Sequence, residues 1–69
     1  MIKSRLRVLL AEHEMLQRDL AYVADIRLPT ISDMCTNKSK HISVDTLNKM
    51  CKVFNCQPGD LFVYIPDEE

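Results

Sequence analysis

Metal ligation or nucleophilic attack in this 69-residue chain would fall first to Cys35, Cys51, Cys56, His13, His41, Ser32 and Ser43. Their spacing argues against both chemistries. Cys51 and Cys56 stand five apart, a poor match to the tightest zinc-ligand pairs, and Cys35 has no Cys or His close to it in sequence. Neither serine has a general base near it. The cysteines read as small buried hydrophobes and the histidines as loop or helix-end residues. No metal, cofactor or catalytic group is expected. A chain of this length makes one domain and buries only about 60% of its unfolded surface, too little to build a substrate cleft.

A second kind of chemistry, hydrogen bonding to an extended polyanion, finds better material. Between Arg27 and Lys52 the chain carries five cations (Arg27, Lys38, Lys40, Lys49, Lys52) against Asp33 and Asp45. The overall charge is −1, but Asp67, Glu68 and Glu69 form a short acidic tail, and residues 1–66 hold nine Lys and Arg against seven Asp and Glu. A local basic patch counts for more than the total. The patch is modest, so strong non-specific binding is not expected.

The elements that would position these groups are helical. Leu6, Leu9 and Leu10 make an apolar stripe over a first segment from Ser4 to about His13. Met1 to Lys3 is either an extended lead-in or an extra turn. A second segment, Gln17 to Ala24, places Leu20, Ala21 and Ala24 together, and Asp25 ends it in a left-handed conformation. A third starts near Leu28 with Pro29 in its first turn, where no amide donor is needed. Ile31, Met34 and Cys35 form its buried side. Asn37 to His41 is a polar connection. Ser43 caps a fourth helix whose stripe is Val44, Leu47, Met50, Cys51 and Phe54, and Asn55 suits its left-handed end. Gln57-Pro58-Gly59-Asp60 opens a last helical turn through Leu61 and Phe62, and Pro66 stops the chain's final element.

Segments two and three meet at a turn with no room for a loop. Such a pair can push its second helix outward as a probe for the DNA major groove. Thr30, Ser32 and Asp33 point away from the buried side of that third segment.

Gln17, Leu20-Ala21, Ile26, Ile31-Ser32, Leu47 and the ending Asn55-Cys56-Gln57-Pro58-Gly59-Asp60-Leu61 resemble the Cro/CI-type helix-turn-helix family, also called the XRE family. The resemblance runs from about Leu6 to Ile65. It implies an all-α, compact five-helix domain of the lambda-repressor-like DNA-binding type over residues 1–69, with the helix-turn-helix at about 17–36. It further implies a small cytoplasmic transcriptional regulator that binds double-stranded DNA in a sequence-specific way, often as a homodimer on a palindromic operator. DNA contacts are then expected from Gln17, Arg18, Arg27, Leu28, Pro29, Thr30, Ser32, Asp33, Asn37, Lys38 and Lys40. Gln17 would hold a phosphate together with the amides at the start of its helix. Lys38 and Lys40 fall in the loop that tracks the backbone.

The chain departs from the family pattern in several places. Leu16 replaces the preferred Thr cap, Asp25 the turn glycine, and Arg27 a capping Ser. Many members pair an Arg late in the first helix with a Glu late in the third; here Leu10 and Cys35 occupy those positions. Both partners have become apolar, a change that is often neutral, whereas losing one alone would cost roughly 3–5 kcal/mol. Leu10 and Cys35 are therefore expected to meet in the core.

The run Leu61 to Ile65 is apolar throughout and cannot all face inward on one helical turn. Phe62, Val63, Tyr64 and Ile65 are expected at a homodimer interface. The alternatives are a segment that folds back on its own chain, or a protein-interaction module, antitoxin-like, with weak or no DNA binding. No apolar run approaches the roughly 20 residues that cross a membrane. Three cysteines without a secretory signal argue for reduced thiols and a cytoplasmic location.

Overall fold

The strongest apolar stripe folds as the longest helix. The computed structural model describes residues 1–66, so the acidic tail Asp67 to Glu69 lies outside the described residues. Four helices run in order: α1 (Leu6–Glu12), α2 (Gln17–Ala24), α3 (Leu28–Cys35) and α4 (Val44–Phe54). In α4 the Ser43 hydroxyl accepts from the Thr46 amide at 3.1 Å, and Asn55 closes the other end at φ 52°. Both ends match the residues that mark them in sequence.

A single core joins the helices. Leu6, Leu20, Ile31, Met34, Met50 and Leu61 are its fully buried large side chains, one or two from each part of the chain. Burying each such side chain stabilises by roughly 1.5–3 kcal/mol before conformational entropy is counted. Leu10 and Cys35 are both buried in this cluster, on two helices, α1 and α3, that pack against each other. Both positions are thus apolar in the fold, as expected. Burial pushes the Cys35 thiol above its ordinary 9.0, and nearby Arg7 opposes this to a lesser degree.

The five-helix expectation needs correction. After α4 the chain makes only a short 3₁₀ turn (Pro58–Asp60), then enters a strand. That strand, β2 (Phe62–Tyr64), pairs antiparallel with β1 (Ile2–Ser4) in the register Ile2↔Tyr64, Lys3↔Val63, Ser4↔Phe62. The domain is therefore mostly helical with a two-stranded sheet, not all-α. Met1 to Lys3 resolves as the extended lead-in, and α1 begins at Leu6 rather than Ser4. The physical reason is that the apolar run Phe62 to Ile65 meets a partner from the opposite end of the chain. The Met1 amine donates to the Ile65 carbonyl, and the Ile65 amide returns a bond to the Met1 carbonyl. An extended pair satisfies these backbone groups, which an isolated helical turn would leave open.

Candidate nucleic-acid interface

The turn between α2 and α3 consists of Asp25, Ile26 and Arg27. Asp25 sits at φ 54°, ψ 51°, the left-handed conformation that its short polar side chain tolerates. Its carbonyl accepts from the Lys49 ammonium of α4 at 3.1 Å, and the same ammonium pairs with Asp45 at 3.3 Å. Ile26 is buried below the turn. The corner is thereby fixed from inside by an apolar anchor and from outside by a lysine, without the glycine common at such turns.

The corner aims α3 by its two faces. Ile31, Met34 and Cys35 are buried, while Leu28, Pro29 and Asp33 are exposed and Thr30 is half-buried. Pro29 stands in the first turn of α3, as its missing amide allows. Ser32 is half-buried and its carbonyl accepts from the Thr36 hydroxyl at 3.0 Å, within the helix. Leu28, Pro29 and Asp33 thus stay open to solvent.

Four of the expected contact residues are cations without partners. Arg18, Arg27, Lys38 and Lys40 are all exposed, and their side chains take no ion pair or hydrogen bond among the described residues. Lys49 differs, being committed to Asp45 and to the Asp25 carbonyl. Gln17 opens α2, half-buried. Leu16 caps nothing with its side chain, and among the described residues the Gln17 and Arg18 amides find no acceptor. At this end the Asp19 carboxylate accepts from the Leu16 amide at 2.9 Å. Two open amides beside Gln17 suit an anion, while Asp19 tempers the positive end of the helix.

One expected contact residue has a task that the sequence does not reveal. Asn37, at φ 60°, accepts from the Ser4 amide through its side-chain oxygen at 2.8 Å. This bond ties the end of the helix pair to β1 across 33 residues of sequence. Ser4 in turn accepts from the Leu6 amide at 3.0 Å, starting α1. No local pattern announces such a latch. Among the expected interface residues of β2, Phe62 is half-buried, whereas Val63, Tyr64 and Ile65 remain exposed after pairing with β1.

The remaining chemical groups stay apart from this face. His13 ends α1, its Nδ1 2.9 Å from the Leu9 carbonyl and its ring edge-on to Phe54 at 5.0 Å. The three cysteines are free thiols. Burial, and then Cys51, raise the Cys56 thiol above its ordinary value. Among the described residues no group of three His, Cys, Asp or Glu side chains stands together, and no helix is long and apolar enough to cross a membrane.

Two helices joined by a three-residue turn, with the second turned outward over a packed core, define a helix-turn-helix domain. Comparison with known proteins agrees. The family model of the Cro/C1-type HTH DNA-binding domain matches residues 5–67. The chain is 36% identical over 62 residues to the HTH-type transcriptional regulator YozG of Bacillus subtilis (strain 168), itself uncharacterized, covering 90% of this chain and 74% of that one. The crystal structure of a candidate DNA-binding protein from Bacteroides fragilis superposes with a TM-score of 0.76 at 36% identity, over 91% of this chain and all of the other. The chain belongs to the Cro/C1-type helix-turn-helix family, a family of DNA-binding regulators rather than of enzymes.

Proposed function

We propose that this protein is a small transcriptional regulator that binds double-stranded DNA sequence-specifically, with α3 in the major groove. What supports this reading is the exposure of Leu28, Pro29 and Asp33 on α3, together with four cations that take no partner among the described residues. Leu28, Thr30 and Asp33 read base edges, and Pro29 shapes the first turn that brings them there. Gln17 and the open amides of α2 hold one phosphate. Arg18, Arg27, Lys38 and Lys40 hold others, and Ser32 and Asn37 border the contact. Asn37 keeps its amide nitrogen for this purpose, since the latch to Ser4 uses only the oxygen.

The protein acts as a homodimer through Val63, Tyr64 and Ile65 with the edge of Phe62. Antiparallel pairing alternates, so bonds at Met1–Ile65 and from the Arg5 amide to the Leu61 carbonyl turn the Phe62 and Tyr64 backbone groups to the far edge of β2. That edge is free among the described residues and is flanked by apolar side chains. A second β2 related by a two-fold axis would complete it and bring two copies of α3 about 34 Å apart, one duplex turn.

Binding to random duplex at a series of salt concentrations tests the first claim. Affinity falls steeply with salt for a DNA binder, with Lys38→Ala and Lys40→Ala each reducing the slope by about one. Flat salt dependence with retained self-association would instead favour a protein-interaction module built on the β2 surface. Sedimentation of wild type and Tyr64→Asp tests the dimer, which the variant should dissociate.

A further inference from the structure

The latch between Asn37 and Ser4 borders a cavity of about 240 Å³ that lies between the sheet, the end of α3 and the loop leading to α4. We propose that this cavity binds a short aliphatic carboxylate, with the head on the loop and the tail against the sheet.

The two halves of the cavity differ in chemistry. Ile2, Met34, Ile42 and Phe62 make one part apolar. Ser39 and Lys40, with Ser4 and Asn37, make the other part polar, and among the described residues no acidic one lines it. The Lys40 ammonium has no partner among the described residues. The backbone adds to this. The amides of Ser39, Lys40, His41 and Ile42 donate to no acceptor, because the loop that carries them forms neither helix nor turn bonds. A cation and a hydroxyl in the lining, on a loop whose amides are open, favour an anionic head that can accept several bonds at once.

Size and apolar lining then select the rest of the ligand. At about 240 Å³ the cavity is smaller than a typical drug-sized site and suits a fragment such as a carboxylate of about six carbons. A free phosphate or sulfate would satisfy the loop but leave the apolar half unfilled. A neutral alcohol of the same length would fill the apolar half but leave Lys40 unpaired.

Lys40 also belongs to the proposed set of phosphate contacts. Ligand and DNA would then compete for it, so that occupancy weakens duplex binding. This consequence rests on the DNA-binding reading; the existence of the site does not, and its test contains no DNA.

The test is an NMR titration of the labelled full chain with hexanoate, with hexanol, acetate and sulfate as controls. Saturable shifts at the Ser39 to Ile42 amides and at the Met34 methyl are expected for hexanoate. Dissociation constants at least fivefold higher are expected for each control. Lys40→Gln should weaken hexanoate at least fivefold while leaving hexanol unchanged. Ile2→Glu, at an exposed rim position, should abolish hexanoate binding; if that variant loses the sheet, Lys40→Gln decides alone. Absence of saturable shifts, equal binding of hexanol or sulfate, or indifference to Lys40→Gln would overturn the proposal. If the site holds, adding hexanoate to a protein–duplex complex tests the competition separately.

Discussion

Helix α4 and the pair α2–α3 are built by opposite rules. Ser43 and Thr46 close the start of α4, Lys49 pairs with Asp45 along it, and Asn55 ends it. A side chain thus serves the third amide of α4, while its Val44 and Asp45 amides, like those of Gln17 and Arg18 in α2, meet no acceptor among the described residues. At the starts of α2 and α3 stand Leu16 and Arg27, neither of which caps with its side chain. Arg18, Arg27, Lys38 and Lys40 are left without partners among the described residues. Lost caps cost stability, about 1 kcal/mol each, so the difference shows where the chain spends stability and where it keeps groups open for something outside. Core burial carries the helix pair in place of local propensity: Leu20 and Ile31 are fully buried.

The comparison can be broken most forcefully at the core. Ile31→Ala removes the anchor under the outward face of α3 and should destabilise by about 2–5 kcal/mol in urea unfolding. In a domain this small that loss would leave a large unfolded fraction. A much smaller loss would mean that the pair is held by its ends after all. Next in size are the base contacts. Thr30→Ala and Asp33→Ala should each change discrimination at one base pair by about 1–3 kcal/mol while leaving stability nearly untouched, as read by binding to singly substituted duplexes.

The caps give a sharper and smaller test. Ser43→Ala should cost about 1 kcal/mol of stability, because the Thr46 amide loses its acceptor. Leu16→Thr should gain up to about 1 kcal/mol, because an open amide acquires one. If both substitutions were neutral, the contrast between the two regions would have no energetic content. The smallest effect concerns Cys35. Its thiol is raised in the fold, so the folded state holds the proton more tightly than the unfolded chain. Stability from this group is fully present below pH 9.0, the ordinary value, and is lost as pH rises through the higher folded value. Cys35→Ala should flatten this alkaline decline in thermal unfolding followed against pH.

The helices and their ends are legible in sequence because their signals are local. Ser43, Asn55, Asp25 and Pro29 each act within a turn of their own position, and the stripes through Leu20, Ile31 and Met50 repeat at helical spacing. The sheet is not legible for the opposite reason. Strands of three residues carry no measurable alternation, and β1 finds β2 only when the chain ends meet. The apolar run at Phe62 to Ile65 therefore reads as a surplus needing a partner, and part of that partner is the chain itself. The outward face of α3 is readable by subtraction, as what remains once Ile31, Met34 and Cys35 turn inward. The Asn37–Ser4 latch and the cavity beside it depend on contacts between distant segments. No residue type announces them.

The most direct test of the account is selection of bound duplexes from a random pool by wild type and by Asp33→Ala. The account predicts an enriched half-site for the wild type, repeated about one duplex turn away, and a changed preference at a single position for the variant. A pool with no enriched motif, or a motif indifferent to the side chain at position 33, would contradict it.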